Sequence, residues 1–346
     1  GGQEIRIIHE MKMMRSEGAE VYLACRDNSL IKDEAIANNI KVFSLPFRGN
    51  TDLKTLFHLK KIIKYYSIDI VNTHSGKDTW VGGLAAKLTG VKFIRTRHLS
   101  NKINPSRLNF INELADYIFT TGEKVRDDMI EYNRIKANKI ISIPTGIDES
   151  IFNPESFNRE ECRKKFTIND SEIAIGILAV LRQFKRHDLF LKMAKSLIKK
   201  YPGKRLVFII AGNGPQKENI EKIINDLNLA ENVKMVGHIN NVPEFLCAID
   251  ILVLSSDSKE GVPQSVMQGL FMNKPVVSSD SGSTRDLFNH NNFQLIQKGS
   301  IEALINGVSI YLDNMNEVSS RKYMMENFSS SVMVKKIMTS YEKILE

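Results

Sequence analysis

The chain has few cysteines, the residues that build disulfides and most structural zinc sites. Its 346 residues include only three cysteines, Cys25, Cys162 and Cys247. Their number is odd and their spacing wide, so neither a zinc motif nor a disulfide framework follows. We expect three buried, reduced thiols, which are typical of a reducing compartment.

Long apolar runs and a secretory signal are also missing. No run approaches the roughly 20 apolar residues that a membrane-spanning helix needs. Because the first residue is glycine rather than methionine, we expect the natural chain to start earlier. A hydrophobic content of 42% and a charged content of 25% are typical of a globular protein. We therefore expect a cytoplasmic protein, with peripheral contact at the inner face of the membrane as a further expectation.

The charge balance is basic, with 48 Lys and Arg against 40 Asp and Glu, a net charge of +8. Lys54, Lys60, Lys61 and Lys64 cluster on one predicted helical segment. Such a face could contact anionic lipid headgroups, or it could be an ordinary solvated helix face. No aromatic-interleaved basic motif points to nucleic acid. The oligomeric state is not predicted.

Apolar runs that alternate with helical patterns fill most of the chain. Strands are predicted at 21–25, 68–73, 92–96, 117–121, 139–143, 173–181, 205–211, 233–236, 250–255 and from 275. Helices are predicted at 4–15, 80–88, 189–200, 216–227, 243–248, 301–312, 329–345 and from 263. This alternation predicts an α/β protein with parallel sheets whose ligands bind at the carboxyl ends of the strands.

The length suits two domains of roughly 150 residues each. Residues 144–154, with Pro144, Gly146 and Pro154, are typical of a linker. We therefore predict domains at 1–150 and 151–328, followed by a terminal helix at 329–346.

The stretch 255–280 is the strongest candidate site. Glu260 follows a buried strand, and Pro263 opens the next helix, where a missing N–H costs nothing. Free N–H groups at a helix start suit phosphate, and a carboxylate there can accept hydrogen bonds from sugar hydroxyls. Gln268 lies about two helical turns after Glu260. An ordinary strand–helix–strand unit with an exposed glutamate is the alternative.

This stretch resembles the retaining glycosyltransferases of family 4, whose hallmark is Glu-x7-Glu. Glu260, Gly261 and Pro263 match the first half, whereas Gln268 replaces the second glutamate. The resemblance covers nearly the whole chain, and its motifs occur in the right order. It implies a GT-B fold, two Rossmann-like parallel-sheet domains facing across a cleft. It also implies that the terminal helix crosses back to the N-terminal domain.

The opening Gly1-Gly2-x-Glu4 is similar to the glycine loop that follows the first strand of the family. By this resemblance Gly1 and Gly2 lie at a ligand, and the first strand of the N-terminal domain is missing. Taken alone, the motif is weak and could be a tag remnant.

Two cations follow the first strand of the second half. Arg182 and Lys185 are suited to a diphosphate, and the resemblance gives this segment that role, with Arg186 as the alternative to Lys185. A glycine-rich turn at Gly212 and Gly214 would line the nucleotide pocket.

The remaining site residues are assigned by resemblance. Glu260 binds hydroxyls of the transferred sugar, and His98 lies beside that sugar, with His74 as a second candidate. Gln268 meets the ribose, where an amide in place of a carboxylate costs about 1–2 kcal/mol. The backbone positions near the base and phosphates are His238, Gly261, Val262, Pro263 and Gln264.

We therefore predict a metal-independent, retaining glycosyltransferase that needs no cofactor. Its donor is a nucleotide sugar, a UDP-sugar by preference, and its acceptor is a cell-surface polysaccharide or lipid-linked glycan. A UDP-sugar 2-epimerase of GT-B type and a non-catalytic sugar-nucleotide-binding protein are the alternatives. A dehydrogenase is disfavoured because no Gly-x-Gly-x-x-Gly follows a strand.

Overall fold

The computed structural model describes residues 2–98, 110–257, 260–289, 293–315 and 318–346. It divides into two compact units. Unit 1 comprises the residues up to Gly146 together with Ser330–Glu346, and unit 2 comprises Ile147–Ser329. The division falls inside the segment predicted as a linker.

Helices and strands alternate along both units. The first part contains α1 Gly2–Ser16, β1 Tyr22–Cys25, α2 Leu30–Ala37, β2 Lys41–Ser44, α3 Leu53–Tyr65, β3 Ile70–Thr73, α4 Gly76–Thr89, β4 Lys92–Arg97, α5 Ile111–Leu114, β5 Tyr117–Thr120, α6 Glu123–Glu131 and β6 Ile140–Ser142. The second part contains α7 Arg159–Lys165, β7 Glu172–Leu178, α8 His187–Lys200, β8 Arg205–Ala211, α9 Lys217–Asp226, β9 Val233–Gly237, α10 Val242–Ala248, β10 Ile251–Leu254, α11 Gln264–Phe271, β11 Val276–Ser279, β12 Gln294–Ile296, α12 Ile301–Asp313, α13 Arg321–Phe328 and α14 Ser330–Leu345.

All strand pairs of unit 1 are parallel. They form a two-stranded sheet, β1-β2, and a four-stranded sheet in the order β3-β4-β5-β6. Among the described residues, β1 pairs only with β2, and β3 only with β4. A cavity of about 900 Å³ lies between β1 and β3 beside α1. The strand expected ahead of α1 stays a prediction.

Helix α4 begins earlier than its apolar pattern predicts, at Gly76 rather than near residue 80. Ser75 and Asp78 form a capping box in which each side chain accepts a hydrogen bond from the other residue's backbone N–H. The box satisfies donors of the first turn, so the helix starts at polar residues that carry no periodic signal. At its other end Gly90, with φ of 80°, stops the helix.

The terminal helix α14 belongs to unit 1. Its buried side chains Met333, Val334 and Ile337 pack in a cluster that includes Ile94 and Phe119 of the sheet. The preceding Val332 is only half-buried, whereas Met333 and Val334 face the core.

Unit 2 contains one parallel sheet in the order β12-β11-β10-β7-β8-β9. Successive residues of its strands point to opposite faces. Val207 and Ile209 of β8 join a core with α10, α11 and α13, whereas Phe208 and Ile210 join a core with α8, α9 and α12. The sheet is covered on both faces, which explains the nearly unbroken apolar runs of its strands.

Two helix starts in unit 2 differ from their predicted positions. Pro263 caps α11 with extended backbone, so the helix begins at Gln264. Gln268 therefore lies about one turn inside α11, and the expected separation of two helical turns from Glu260 is wrong. Helix α8 begins at His187 rather than at 189. In the described residues, no helix combines the length and the apolarity needed to cross a membrane.

Candidate functional site

The turn after β7 carries the predicted cations of unit 2. A short 3-10 turn spans Gln183–Lys185, and Arg186 then adopts the left-handed conformation, φ 52°, directly before α8. The Ser255 hydroxyl lies 2.9 Å from the carbonyl oxygen of Lys185 and 3.0 Å from that of Arg186. Because Ser255 is fully buried at the end of β10, it fixes the turn to the sheet.

Gly212 and Gly214 hold the segment that leads into this turn. Their φ angles are 146° and 157°. A Cβ on Gly212 would lie 1.9 Å from the carbonyl oxygen of Ala179, and one on Gly214 would lie 2.7 Å from that of Leu181. Only glycine allows such close backbone approach. The two glycines therefore shape the backbone directly before Arg182.

Lys185 and Glu260 form an ion pair, with 2.5 Å between Nζ and Oε1. Both side chains are largely buried, at 15% and 9% exposure. Lys185 comes from the turn after β7 and Glu260 from the loop after β10, so the pair joins two adjacent strand ends. Removal of one partner of such a buried pair strongly destabilises the folded protein, because the other charge then stays buried without a partner.

The loop after β11 supports the backbone of Glu260 from a second side. Gly282 has φ of 59°, and a Cβ there would lie 1.9 Å from the Glu260 carbonyl oxygen. The Ser283 backbone N–H donates to the carbonyl oxygen of Gly261 at 3.2 Å. Neither residue was predicted from the sequence, where the available signal was the Ser-Gly-Ser at residues 281–283, directly after an apolar strand.

Arg182 does not share the surroundings of the ion pair. It is exposed and lines a cavity of about 620 Å³ together with Arg186, His187 and Asp257. Arg186, the alternative to Lys185, binds both carboxylate oxygens of Asp188 at 2.9 Å. The structure thus places Lys185, rather than Arg186, against Glu260.

Several buried polar side chains near these loops have no hydrogen-bond partner among the described residues. They are His187, Ser256, Ser281 and Ser283. Burial, together with the charge of Lys185, lowers the pKa of His187 to about 4, so its imidazole is neutral at pH 7. A neutral imidazole beside Lys185 adds no competing positive charge to the site.

The start of α11 completes this group of loops. Val262 and Pro263 are buried, and Gly261 and Gln264 are half-buried. The N-cap Pro263 offers no side-chain hydrogen bond to the first turn. In the described structure, the N-cap side chain therefore does not compete with a ligand for the first-turn N–H groups. Gln268 is half-buried one turn further.

His238 is exposed directly after β9. The Gly212 N–H donates to the carbonyl oxygen of the preceding Gly237 at 2.7 Å. The glycine-rich turn and the segment at His238 are therefore neighbours in unit 2.

The histidines predicted in unit 1 contact each other. Nδ1 of His74 lies 3.0 Å from Nε2 of His98, at the ends of β3 and β4. Gln3 near the start of α1 donates to the His74 carbonyl oxygen at 3.0 Å, which places the segment after Gly2 beside this pair. Gly1 lies outside the described residues.

Both histidines are neutral at pH 7. Burial and the nearby charge of Arg6 lower the pKa of His74 to about 3. Burial, with His74 and Arg6, lowers the pKa of His98 to about 2. His98 is therefore suited to hydrogen bonding, and not to supplying positive charge.

In the part of the chain that the structure describes, no group of three or more His, Cys, Asp or Glu side chains could hold a metal ion. Among the residues that the structure describes, the positive groups near Glu260 include Lys185 and the N–H groups at the start of α11.

Two family models match this chain and together cover most of it. The model described as Glycosyltransferase Family 4 matches residues 1–151, and the one described as Glycosyl transferases group 1 matches residues 158–329. The chain belongs to the group 1 glycosyltransferases of family 4. It is therefore a glycosyltransferase, and the family expected from the sequence is confirmed, whereas the place of Gln268 as the second residue of the Glu-x7-Glu motif stays a prediction.

Curated relatives of the glycosyltransferase span most of its length. One is the UDP-Gal:alpha-D-GlcNAc-diphosphoundecaprenol alpha-1,3-galactosyltransferase of Escherichia coli, which is 24% identical over 96% of this chain and 92% of its own. Another is the putative glycosyltransferase EpsF of Bacillus subtilis, which is 25% identical over 81% of this chain and 76% of its own.

Solved structures show the same fold. A glycosyltransferase from Rickettsia africae superposes with a TM-score of 0.91 at 20% identity, covering 100% of this chain and 96% of its own. HepE from Anabaena in complex with UDP and glucose gives 0.83 at 16% identity, covering 99% and 96%. The expected α/β architecture of GT-B type is confirmed.

The close approach of Gly282 to Glu260 predicts a specific loss of stability. Gly299 also has positive φ, 76°, but open space at its Cβ position, and so provides a matched control. Gly299→Ala should cost about 1–2 kcal/mol from backbone strain alone. Gly282→Ala should cost clearly more, because the Glu260 backbone must also move. Urea unfolding measures both, and equal losses would contradict this contact.

The lowered pKa values of His74 and His98 predict a pH dependence. Below the ordinary histidine pKa of 6.5 the unfolded chain binds protons that the folded chain does not, so stability falls as pH falls from about 6.5 toward 4. His74→Gln/His98→Gln should flatten this dependence, and His58→Gln on the exposed surface of α3 should not. Unfolding free energies at pH 7, 6 and 5 provide the measurement. An unchanged slope in the double variant would refute the assignment.

Proposed function

We propose that this glycosyltransferase takes its sugar from a nucleoside diphosphate sugar, with UDP as the favoured nucleotide, and transfers it with retention and without a metal ion. The observation that carries the proposal is the buried Lys185–Glu260 pair beside the uncapped start of α11. The positive charge of Lys185 suits the diphosphate of such a donor, and the negative charge of Glu260 suits the hydroxyls of its sugar.

The departing diphosphate gains negative charge as its bond to the anomeric carbon breaks. Lys185 and the N–H groups of the first turn of α11 provide positive charge in fixed positions, which is the arrangement that stabilises such a charge best. Arg182, exposed and apart from the ion pair, stays a candidate for a second contact with the diphosphate. In the donor complex, a phosphate oxygen becomes a further partner of the Lys185 ammonium group.

Glu260 accepts hydrogen bonds from hydroxyls of the transferred sugar. Its carboxylate is held by Lys185, and its backbone by Gly282. A side chain held so firmly is suited to orienting the sugar ring rather than to attacking it. Gln268 is assigned to the ribose, and Gly212, Gly214 and the backbone at His238 to the nucleotide.

The configuration at the anomeric carbon is retained if the acceptor oxygen attacks that carbon from the same side from which the diphosphate departs. The acceptor hydroxyl then transfers its proton to a phosphate oxygen of the leaving group, so no protein base is needed. His98, neutral and bonded to His74, is assigned a hydrogen bond to the donor sugar.

The acceptor is proposed to be a lipid-linked glycan. This proposal is supported by the Escherichia coli relative, whose name specifies a diphosphoundecaprenol-linked acceptor. The donor class is supported by HepE, whose structures contain UDP and UDP-glucose. Action at the inner face of the cytoplasmic membrane is part of the same proposal.

The donor is tested with a panel of sugar nucleotides and the matching free nucleotides. A bound donor raises the unfolding temperature by an amount that grows with the logarithm of its concentration divided by its Kd. Incubation with the stabilising donor then separates the candidate reactions, because a transferase needs an acceptor whereas a 2-epimerase converts the donor alone. Stabilisation by no sugar nucleotide would refute the proposal.

The ion pair predicts the effect of two substitutions. Lys185→Gln and Glu260→Gln should each lower transfer by about 100-fold or more, since each removes a charge aimed at the donor. Transfer should persist in EDTA. The exposed pair Lys165–Glu244, also 2.5 Å apart in unit 2, is the matched control, and Lys165→Gln should leave the rate unchanged. Near-normal turnover in folded Lys185→Gln would eliminate this role.

A further inference from the structure

Helix α3 of unit 1 carries a surface that the proposed reaction does not use. Its buried side chains are Thr55, Leu59 and Ile63. At 100° per residue the opposite side of the helix spans an arc of about 160°. We call this surface the α3 face; it consists of Leu53, Lys54, Phe57, His58, Lys60, Lys61, Lys64 and Tyr65.

The α3 face exposes three large apolar side chains. Leu53 is 73% exposed, Phe57 is 64% exposed and Tyr65 is 80% exposed. They are not isolated, because Leu53 and Phe57 are one turn apart and the Lys61 Nζ lies 5.6 Å from the centre of the Phe57 ring. Exposed apolar groups that cluster in this way mark an interaction surface.

The charge of the α3 face has one sign. Helix α3 contains four lysines and no Asp or Glu. Other exposed helices mix the two signs, as in α6 with Glu123, Arg126 and Asp127. The lysines make no ion pair among the described residues. The surface is therefore complementary to a dense array of negative charge.

Helix α8 shows what an ordinary basic helix in this protein looks like. It also exposes lysines, among them Lys192, Lys195 and Lys199. None of its large apolar side chains is exposed in the structure, since Leu191, Met193 and Leu197 are buried. Of these two helices, α3 alone combines exposed lysines with exposed apolar side chains that could be buried against a partner.

We propose that the α3 face docks the enzyme on an anionic lipid bilayer, an inference that rests on the proposed lipid-linked acceptor. Lysines at such a surface are attracted by the headgroups, and side chains such as Leu53 and Phe57 enter the boundary between headgroups and acyl chains. Nucleic acid would satisfy the lysines but would leave Leu53 and Phe57 in water. A bilayer satisfies both.

Docking by this face would hold unit 1 at the surface where a lipid-linked acceptor presents its glycan. The enzyme would then meet its acceptor by diffusion in two dimensions. The face belongs to unit 1 and the ion pair belongs to unit 2, and the two share no residue, so binding to lipid and binding to donor can be measured independently.

The test is co-sedimentation of the whole chain with phosphatidylcholine vesicles that contain or lack phosphatidylglycerol. The chain should bind the anionic vesicles, and Lys61→Glu/Lys64→Glu should weaken binding by at least about 25-fold, which is about fivefold for each lysine lost, because each change also adds a negative charge. Lys195→Glu/Lys199→Glu in α8 makes the same change in net charge and should have little effect. Equal weakening by both double variants would overturn the proposal, because it would indicate attraction by overall charge.

The apolar contribution is tested with a second pair of variants. Phe57→Ser should weaken vesicle binding by about tenfold. Ile310→Ser, which replaces a 51% exposed isoleucine on α12, should not. No binding to either kind of vesicle, equal binding to both kinds, or binding of RNA in place of vesicles would overturn the proposal.

Donor binding in the absence of vesicles separates this inference from the proposed function. The α3 variants should keep the donor-induced rise in unfolding temperature of the unchanged chain. If vesicle binding is lost while donor binding remains, the α3 face is supported. If donor binding fails in the unchanged chain while vesicle binding persists, the proposed reaction fails and the docking surface stands.

Discussion

The account depends on one interaction, the buried ion pair between Lys185 and Glu260. Each residue lies at the carboxyl end of a different strand of the same sheet, and each is held by backbone contacts. Ser255 fixes the turn that carries Lys185, and Gly282 sets the position of the Glu260 backbone. Two opposite charges with little access to water are costly unless they are paired or bind a ligand. A nucleotide-sugar donor provides a ligand for each charge, since its phosphates can bind the Lys185 ammonium group and its sugar hydroxyls can bind the Glu260 carboxylate.

The architecture could be predicted from the sequence because buried parallel strands have a strong signal. The apolar runs at 173–181 and 205–211 indicated β7 and β8, and their alternation with helices indicated parallel sheets. Family membership could also be predicted, because several motifs in a fixed order are far more specific than any one motif. The choice of Lys185 rather than Arg186 depended on the Arg-His-Asp-Leu that follows Lys185 in the sequence.

The supporting contacts could not be predicted, because they join residues far apart in sequence. Gly282 matters because folding brings the Glu260 carbonyl oxygen to the place where a Cβ on residue 282 would lie. Ser255 matters because its hydroxyl donates to a carbonyl oxygen of the turn before α8. The early start of α4 was missed because a capping box has no apolar periodicity. The role of the α3 face depends on which side of the helix is buried, which the lysine cluster alone left open.

The central claim is most directly tested by calorimetric titration of UDP and of the stabilising UDP-sugar into the unchanged chain, Lys185→Gln and Glu260→Gln. If Lys185 holds phosphate and Glu260 holds sugar, Lys185→Gln weakens both ligands, whereas Glu260→Gln weakens the UDP-sugar and leaves UDP nearly unchanged. If both variants bind both ligands as the unchanged chain does, the ion pair is a structural contact and the account is contradicted.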